Sequence, residues 1–530
     1  MASIAAIAFS CATPTSPTGG PPDKQGPEIV STTPETGTTN FEGRSIELVF
    51  SEFVDRASLR QAITIEPDLD IDYELDWGRK SVEIEFESQL PDLTTLIISI
   101  GSTLKDVRGN KLARPIKIAV STGPEIDEGR ILGRIINAET GKGRETSRVL
   151  LYRTPVDLAE KANYSAETDT SGTFQFEYLR EGTYKAFWVD DLNRNRIWDR
   201  ERETAQPFYQ EFIDLEKAES DTLGKLFVTS PDTTRPALQG VGLFSSQRLR
   251  MRFSENIQIS DSTAITMTDT LGNRYSGAYP LYVLPSDPFV LFAHSEQSLH
   301  PDSSYRVELE NITDQADNFL TNSSVSFTGS AQEDTTVQRI IKRDKQVGMY
   351  PDESIIVTYA KPISDAAIRD SIKVVEGTEL IEEWEGISIS RNKLTVSPNK
   401  EWKSGVDYEI RVWNPMVSDF KTITPNIWFP NSLGRLNVMR EDSASSDTLE
   451  LSIYSENRGR VADTTFMKSI EIARLPDTNY RIRAYIDANG NGKWDFGSID
   501  PYVAPEPYFI RNKVPVKGSF TADLTISLEQ

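Results

Sequence analysis

The sequence predicts an all-β fold, a tandem array of five β-sandwich modules. Three observations carry this. Apolar residues alternate over short stretches, as at Ile46, Leu48 and Phe50 and again at Val82, Ile84 and Phe86, which is the period of a half-buried strand. Turn signals punctuate them at short intervals, among them Pro67-Asp68, Trp77-Gly78, Pro91-Asp92 and Gly109-Asn110, and no amphipathic helix of any length intervenes. The chain has 530 residues, too many for one core, and its 38% hydrophobic content with 9% aromatics is enough for several packed ones.

The chain opens on a segment without strand periodicity. Cys11 is the single cysteine, so no internal disulfide is possible. It ends a small and apolar run, Ile4 to Ser10, and precedes a stretch rich in Pro, Gly, Ser and Thr, the composition of a linker. The arrangement resembles the end of a bacterial lipoprotein signal peptide, with 1–26 as a truncated signal and flexible tether and Cys11 as the lipidated residue. It departs from the usual leader in three ways: the run is short, no Lys or Arg precedes it, and Phe9 stands where a small residue is common. A free N-terminal thiol is the alternative. No other stretch is apolar for long enough to cross a bilayer.

The first module is expected at 27–124. Pro34-x-x-Gly37, the strand and turn Ile46 to Asp55, and Leu104-Lys-Asp106-Val-Arg-Gly109-Asn110 resemble the bacterial Ig-like domain first described in surface-layer proteins. With the leading Thr-Gly-Gly-Pro-Pro-Asp after Cys11, the whole resembles Ig-like lipoproteins of Bacteroidetes type. Leu249 to Glu255 and Ile312 to Asn318 mirror the Phe50-Ser-Glu and Asp106 segments and place a second Ig-like module at 231–332. A third, at 333–430, has Ile355 to Pro362 as its first long strand and lacks the Gly-Asn element. The segment 125–230 differs. Its Thr168-Asp169-x-Ser171-Gly172 turn, the pair Phe174 and Phe176, and Gly182-x-Tyr184 resemble the carboxypeptidase regulatory-like (transthyretin-like) β-sandwich, a non-catalytic appendage. Leu433 to Leu436 and Tyr480 to Asp495 place a second such module at 431–530.

Those two modules each carry a loop of one pattern, D-x-N-x-N-x-x-W-D, directly after an alternating strand. The first is Asp191, Asn193, Asn195, Trp198 and Asp199; the second is Asp487, Asn489, Asn491, Trp494 and Asp495. Oxygen side chains at relative positions 1, 3, 5 and 9 suit a hard cation such as Ca²⁺, with the Ile197 and Lys493 carbonyls between them. Asp190, Glu201 or Glu203 in one copy and Asp500 in the other are candidates to complete the shell. These are not EF-hands, because no helices flank them and relative position 12 is Arg202 or Ser498. The competing reading is that the Asp and Asn side chains only bond their own backbone in Asx turns, with the tryptophans as packing anchors.

A formal charge of −23 argues against nucleic acid as a partner and favours cations or basic partners. His294 and His300 have neither strand nor helix metal spacing and read as surface residues, and no nucleophile elbow or phosphate loop occurs. Trp384, Trp402 and Trp413 read as core residues rather than a glycan platform. The function expected is that of a non-enzymatic, lipid-anchored outer-membrane rod, calcium-stiffened, that scaffolds another envelope protein without a small-molecule substrate. The alternatives are an accessory subunit of an outer-membrane barrel-assembly, secretion or uptake complex, and a carbohydrate-binding or adhesion protein.

Overall fold

The computed structural model describes residues 24–528 apart from 102, 231, 276–279, 296, 344–347, 364–371 and 443. Cys11 therefore lies outside the described residues. The described chain is built from strands, with a 3-10 turn at Pro430–Ser432 and one short α-helix, Arg56–Ala62, whose N-terminus Asp55 caps by accepting a hydrogen bond from Ser58 N.

The described strands form five pairs of facing sheets and one two-stranded ribbon, Ser498–Ile499 with Tyr502–Val503. In 29–121, a four-stranded sheet (Ile29–Thr33, Ser45–Phe50, Ser81–Phe86, Tyr73–Trp77 in spatial order) faces a three-stranded one. The alternation read from the sequence is realised there: Ile46, Leu48, Phe50, Val82, Ile84 and Phe86 are all buried in one core. Modules of the same antiparallel kind follow at 238–328 and 340–423, each with two four-stranded sheets.

The second and fifth modules share a different topology. In each, the last strand pairs parallel to the first: Ser220–Val228 with Gly129–Asn137, and Thr521–Ile526 with Leu433–Arg440. Each also ties a corner with a buried tyrosine, Tyr184 Oη donating to Arg180 O at 2.6 Å and Tyr480 Oη to Pro476 O at 2.8 Å. Gly172, at φ +81°, is required by the hairpin it closes, because a Cβ there would come within 2.1 Å of Ile135 O.

The modules are tandem in sequence, but their contacts are not confined to neighbours, and this departs from the rod expected. The fifth module packs directly on the second. Ile499, 1% exposed, sits among Leu150, Tyr152, Phe187 and Val189, and Tyr508 packs on Phe227 with ring centroids 5.1 Å apart. Arg248 joins the third module to the fourth through Asp334 and the Ala360 carbonyl. Arg458 joins the fifth to the fourth through Gly348 O at 3.0 Å and Glu353 at 2.6 Å.

Candidate functional site: paired acidic loops at an intramolecular clasp

Each loop leaves the end of a central strand, Gly182–Val189 or Thr478–Ile486, and is folded by its own side chains. In the second loop Asp487 accepts from Gly490 N, Asn491 N and Gly492 N. Asn489 and Asn491 accept from the backbone two residues on and turn their amide groups onto Asp495 Oδ2. Asn489, Asn491 and Asp495 are thus tied together, while Asp487 gathers the loop backbone. In the first loop Asp191 accepts from Asn195 N and Arg196 N, and Asn193 and Asn195 make the same turns, but Asp199 faces Glu201 N instead. Asx turns therefore account for the local folding of both loops.

A buried glutamate locks each loop, and only one of the pair was within sight of the sequence. Glu203 accepts from Leu192 N and Asp199 N, and its backbone carbonyl accepts from Trp198 Nε1 at 3.1 Å. Glu506 does the same for Ala488 N, Asp495 N and Trp494 Nε1. The two are 6% and 7% exposed. Glu506 was missed because a hairpin, Ser498–Ile499 with Tyr502–Val503, separates it from its loop. Asp500, proposed from sequence to complete the second shell, lies on that hairpin and pairs with Arg200 of the second module at 2.7 Å. Asp190 likewise turns away, to Arg144 at 3.4 Å.

The electrostatics of the loops are opposite. Arg148 lies across from Val189 in the sheet and places its guanidinium 3.4 Å from Asp191, whose side chain is fully buried. The corresponding register position in the fifth module, across from Tyr485, is Glu450. Partial burial first, then the charges of Asp487 and Asp463, push the Glu450 carboxyl above its ordinary value. Burial does the same to Glu506, against its backbone hydrogen bonds and with Asp495 and Asp487 adding to it. One loop carries its own cation; the other concentrates carboxylates.

Both loops belong to the clasp between modules. Trp198 packs in the cluster that holds Ile499, and Trp494 lies 4.7 Å from Tyr508 between ring centroids. Tyr508 Oη donates to Ala138 O at 2.7 Å, Tyr502 Oη to Tyr209 O at 2.7 Å, and Lys185 Nζ to Ile499 O at 3.1 Å.

Elsewhere, Trp402 is 1% exposed and stacks on Trp384 at 5.3 Å, so this pair is core rather than a sugar platform. His294 is not the surface residue expected. It is half-buried, desolvation pulls its pKa down, and its Nδ1 has no hydrogen-bond partner among the described residues. One acidic cluster escaped the sequence reading altogether: Asp232, Glu255 and Asp314 bring carboxylate oxygens within 4.8 Å of one another, and burial with the two neighbouring charges pushes the Glu255 carboxyl up.

Among solved structures, the N-terminal part of the bacterial S-layer protein SbsC is 11% identical at a TM-score of 0.17, covering 37% of this chain and 45% of that one. The chain thus spans under half of that S-layer fragment. The Bacillus anthracis TIE protein is 11% identical at a TM-score of 0.15, covering 97% of this chain and 76% of that one. BcpA, the major pilin subunit of Bacillus cereus, is 11% identical at 0.14, covering 75% and 98%. No curated protein matches the chain. The sheet pair at the start of the chain falls in a recognised sequence family: residues 23–122 match the bacterial Ig-like domain.

Proposed function

We propose that the chain is a non-enzymatic scaffold of the cell envelope, tethered through Cys11 to the outer membrane, that presents its modules to another envelope protein. The observation that carries the scaffold reading is the clasp. Both acidic loops set a tryptophan, Trp198 or Trp494, into the contact between the second and fifth modules. A bacterial Ig-like domain at its N-terminal end fits that role.

Calcium enters this reading at one loop, not two. Asp487, Asn489, Asn491 and Asp495 are the ligands proposed, with Glu450 and Glu506 adding charge. At the first loop the Arg148 guanidinium already compensates Asp191. Calcium calorimetry and thermal melting on the full chain test this. One ion per chain is expected, with stabilisation of about 1.4 kcal/mol at tenfold the Kd. Glu450→Arg, which copies the first module, is expected to abolish the calcium response and raise the calcium-free melting temperature. Absence of both heat and melting shift at millimolar calcium would reduce the loops to turns. The partner is sought by pull-down from envelope extracts, where recovery of an outer-membrane β-barrel would recast the chain as an accessory subunit.

A further inference from the structure

The end of the first module where the described chain begins is charged opposite to the rest of the protein. Its segments 24–29, 51–62, 77–81 and 100–116 hold nine Lys or Arg against four Asp or Glu, in a chain of net charge −23. The fold gathers the described residues of these segments in one place. Ser51 N donates to Glu28 O at 2.8 Å, Lys80 Nζ to Ser51 O at 2.6 Å, Val107 N to Phe53 O at 3.2 Å and Asp55 N to Lys105 O at 2.8 Å. Gly26 lies so close to Lys111 O that a Cβ would come within 1.8 Å of it.

Two of the four acids are occupied locally. Asp106 is 1% exposed and accepts from Arg108 N and Asn110 N, and Asp55 caps the short helix. The cations are exposed. Among the described residues, Arg56, Arg79, Lys80, Lys105, Lys111 and Arg114 make no ion pair. Arg56 and Arg79 instead lie over the rings of Trp77 and Phe53, at 5.0 and 6.0 Å. Phe53 is 44% exposed and Val107, bonded to it through the backbone, 66%.

An exposed Phe and Val ringed by cations matches the chemistry of an anionic bilayer surface: phosphates take the cations while the apolar groups enter the headgroup layer. The position agrees. The chain enters this end at Lys24, so the segment bearing Cys11 leaves from here, with a reach of about 40 Å at full extension. We infer that this end of the first module is a docking foot for an anionic phospholipid surface. The inference rests on the anchor reading only for what holds the foot near the membrane.

The test removes the anchor. The full chain carrying Cys11→Ser is sedimented with vesicles of phosphatidylcholine, or of phosphatidylcholine with a one-third share of phosphatidylglycerol. It is expected to follow the anionic vesicles alone and to be released by high salt. Arg79→Gln, Lys105→Gln and Lys111→Gln each weaken binding roughly fivefold, and Phe53→Ser weakens it further. Arg252→Gln with Lys393→Gln, exposed cations in other modules, leave it unchanged. Equal association with both vesicles, or indifference to the triple Gln variant, overturns the foot. So does binding to soluble heparin that matches the vesicles and ignores Phe53→Ser, which would mark a general polyanion site. Whether Cys11 is acylated is read separately, by mass spectrometry of the envelope fraction.

Discussion

Arg148 and Glu450 stand at one register position in two copies of a module and carry opposite charges. The consequence is measurable. Glu450 and Glu506 have carboxyls raised above their ordinary value of 4.5. A raised carboxyl binds its proton more tightly in the native state, so it stabilises when protonated and loses that contribution as pH rises through its folded value. Calcium-free protein is therefore expected to lose stability at this site on going from about pH 4.5 upward, and Glu450→Gln is expected to flatten that loss and to melt higher at neutral pH. Melting curves of the two proteins across pH read this directly; coincident profiles would show the Glu450 charge to be inconsequential. The loops also differ in backbone strain. Arg194 and Arg196 take φ of 59° and 63° where Gly490 and Gly492 take 74°. Gly492→Ala meets nothing within 4 Å, so its cost is backbone alone, about 1 kcal/mol by denaturant unfolding. The spacing D-x-N-x-N made the Asx turns legible, since each bond spans only a few residues. Glu506 and Arg148 were not, because Glu506 returns from beyond an intervening hairpin and Arg148 comes from a strand some forty residues before its loop.

At the scale of single elements, alternation located the sheets because a half-buried strand writes its burial into every second residue. It misleads where both faces are covered. The strand Gly182–Val189 buries every residue from Tyr184 onward. Tyr184, Ala186 and Trp188 face the module's own core, while Phe187 and Val189 join the cluster that receives Ile499. The continuous apolar run was the available signal of a second covering layer. The joint between the third and fourth modules shows the same limit. Arg248, 3% exposed, lies 5.0 Å from the rings of Phe244 and Phe292, donates to Tyr282 Oη at 3.0 Å and Thr336 Oγ1 at 2.8 Å, and pairs with Asp334 at 3.6 Å. In sequence it is one cation on an alternating strand. Arg248→Ala is expected to cost about 3 kcal/mol, because it removes a buried ionic partner and leaves its acceptors unmatched. Urea unfolding measures it, and a loss under 1 kcal/mol would show the joint to be held elsewhere.

For the whole molecule, module order was legible and module contact was not. Turn signals and strand periods are local, whereas the second and fifth modules meet across two intervening ones. The contacts close a circuit: the linker 229–237 joins the second module to the third, Arg248 the third to the fourth, Arg458 the fourth to the fifth, and the clasp the fifth to the second. A circuit held at one point by side chains opens when that point fails, and each module keeps its own core. Ile499 is the apolar centre of the clasp, and its burial is worth roughly 1.5–3 kcal/mol. Ile499→Asp combined with Tyr502→Ala removes that burial and the bonds to Phe208 O and Tyr209 O. The double variant is expected to retain its far-ultraviolet circular dichroism while its radius of gyration by small-angle X-ray scattering rises. An unchanged radius would mean that the joints made by Arg248 and Arg458 fix the path without the clasp, and the acidic loops would then stabilise their own modules only.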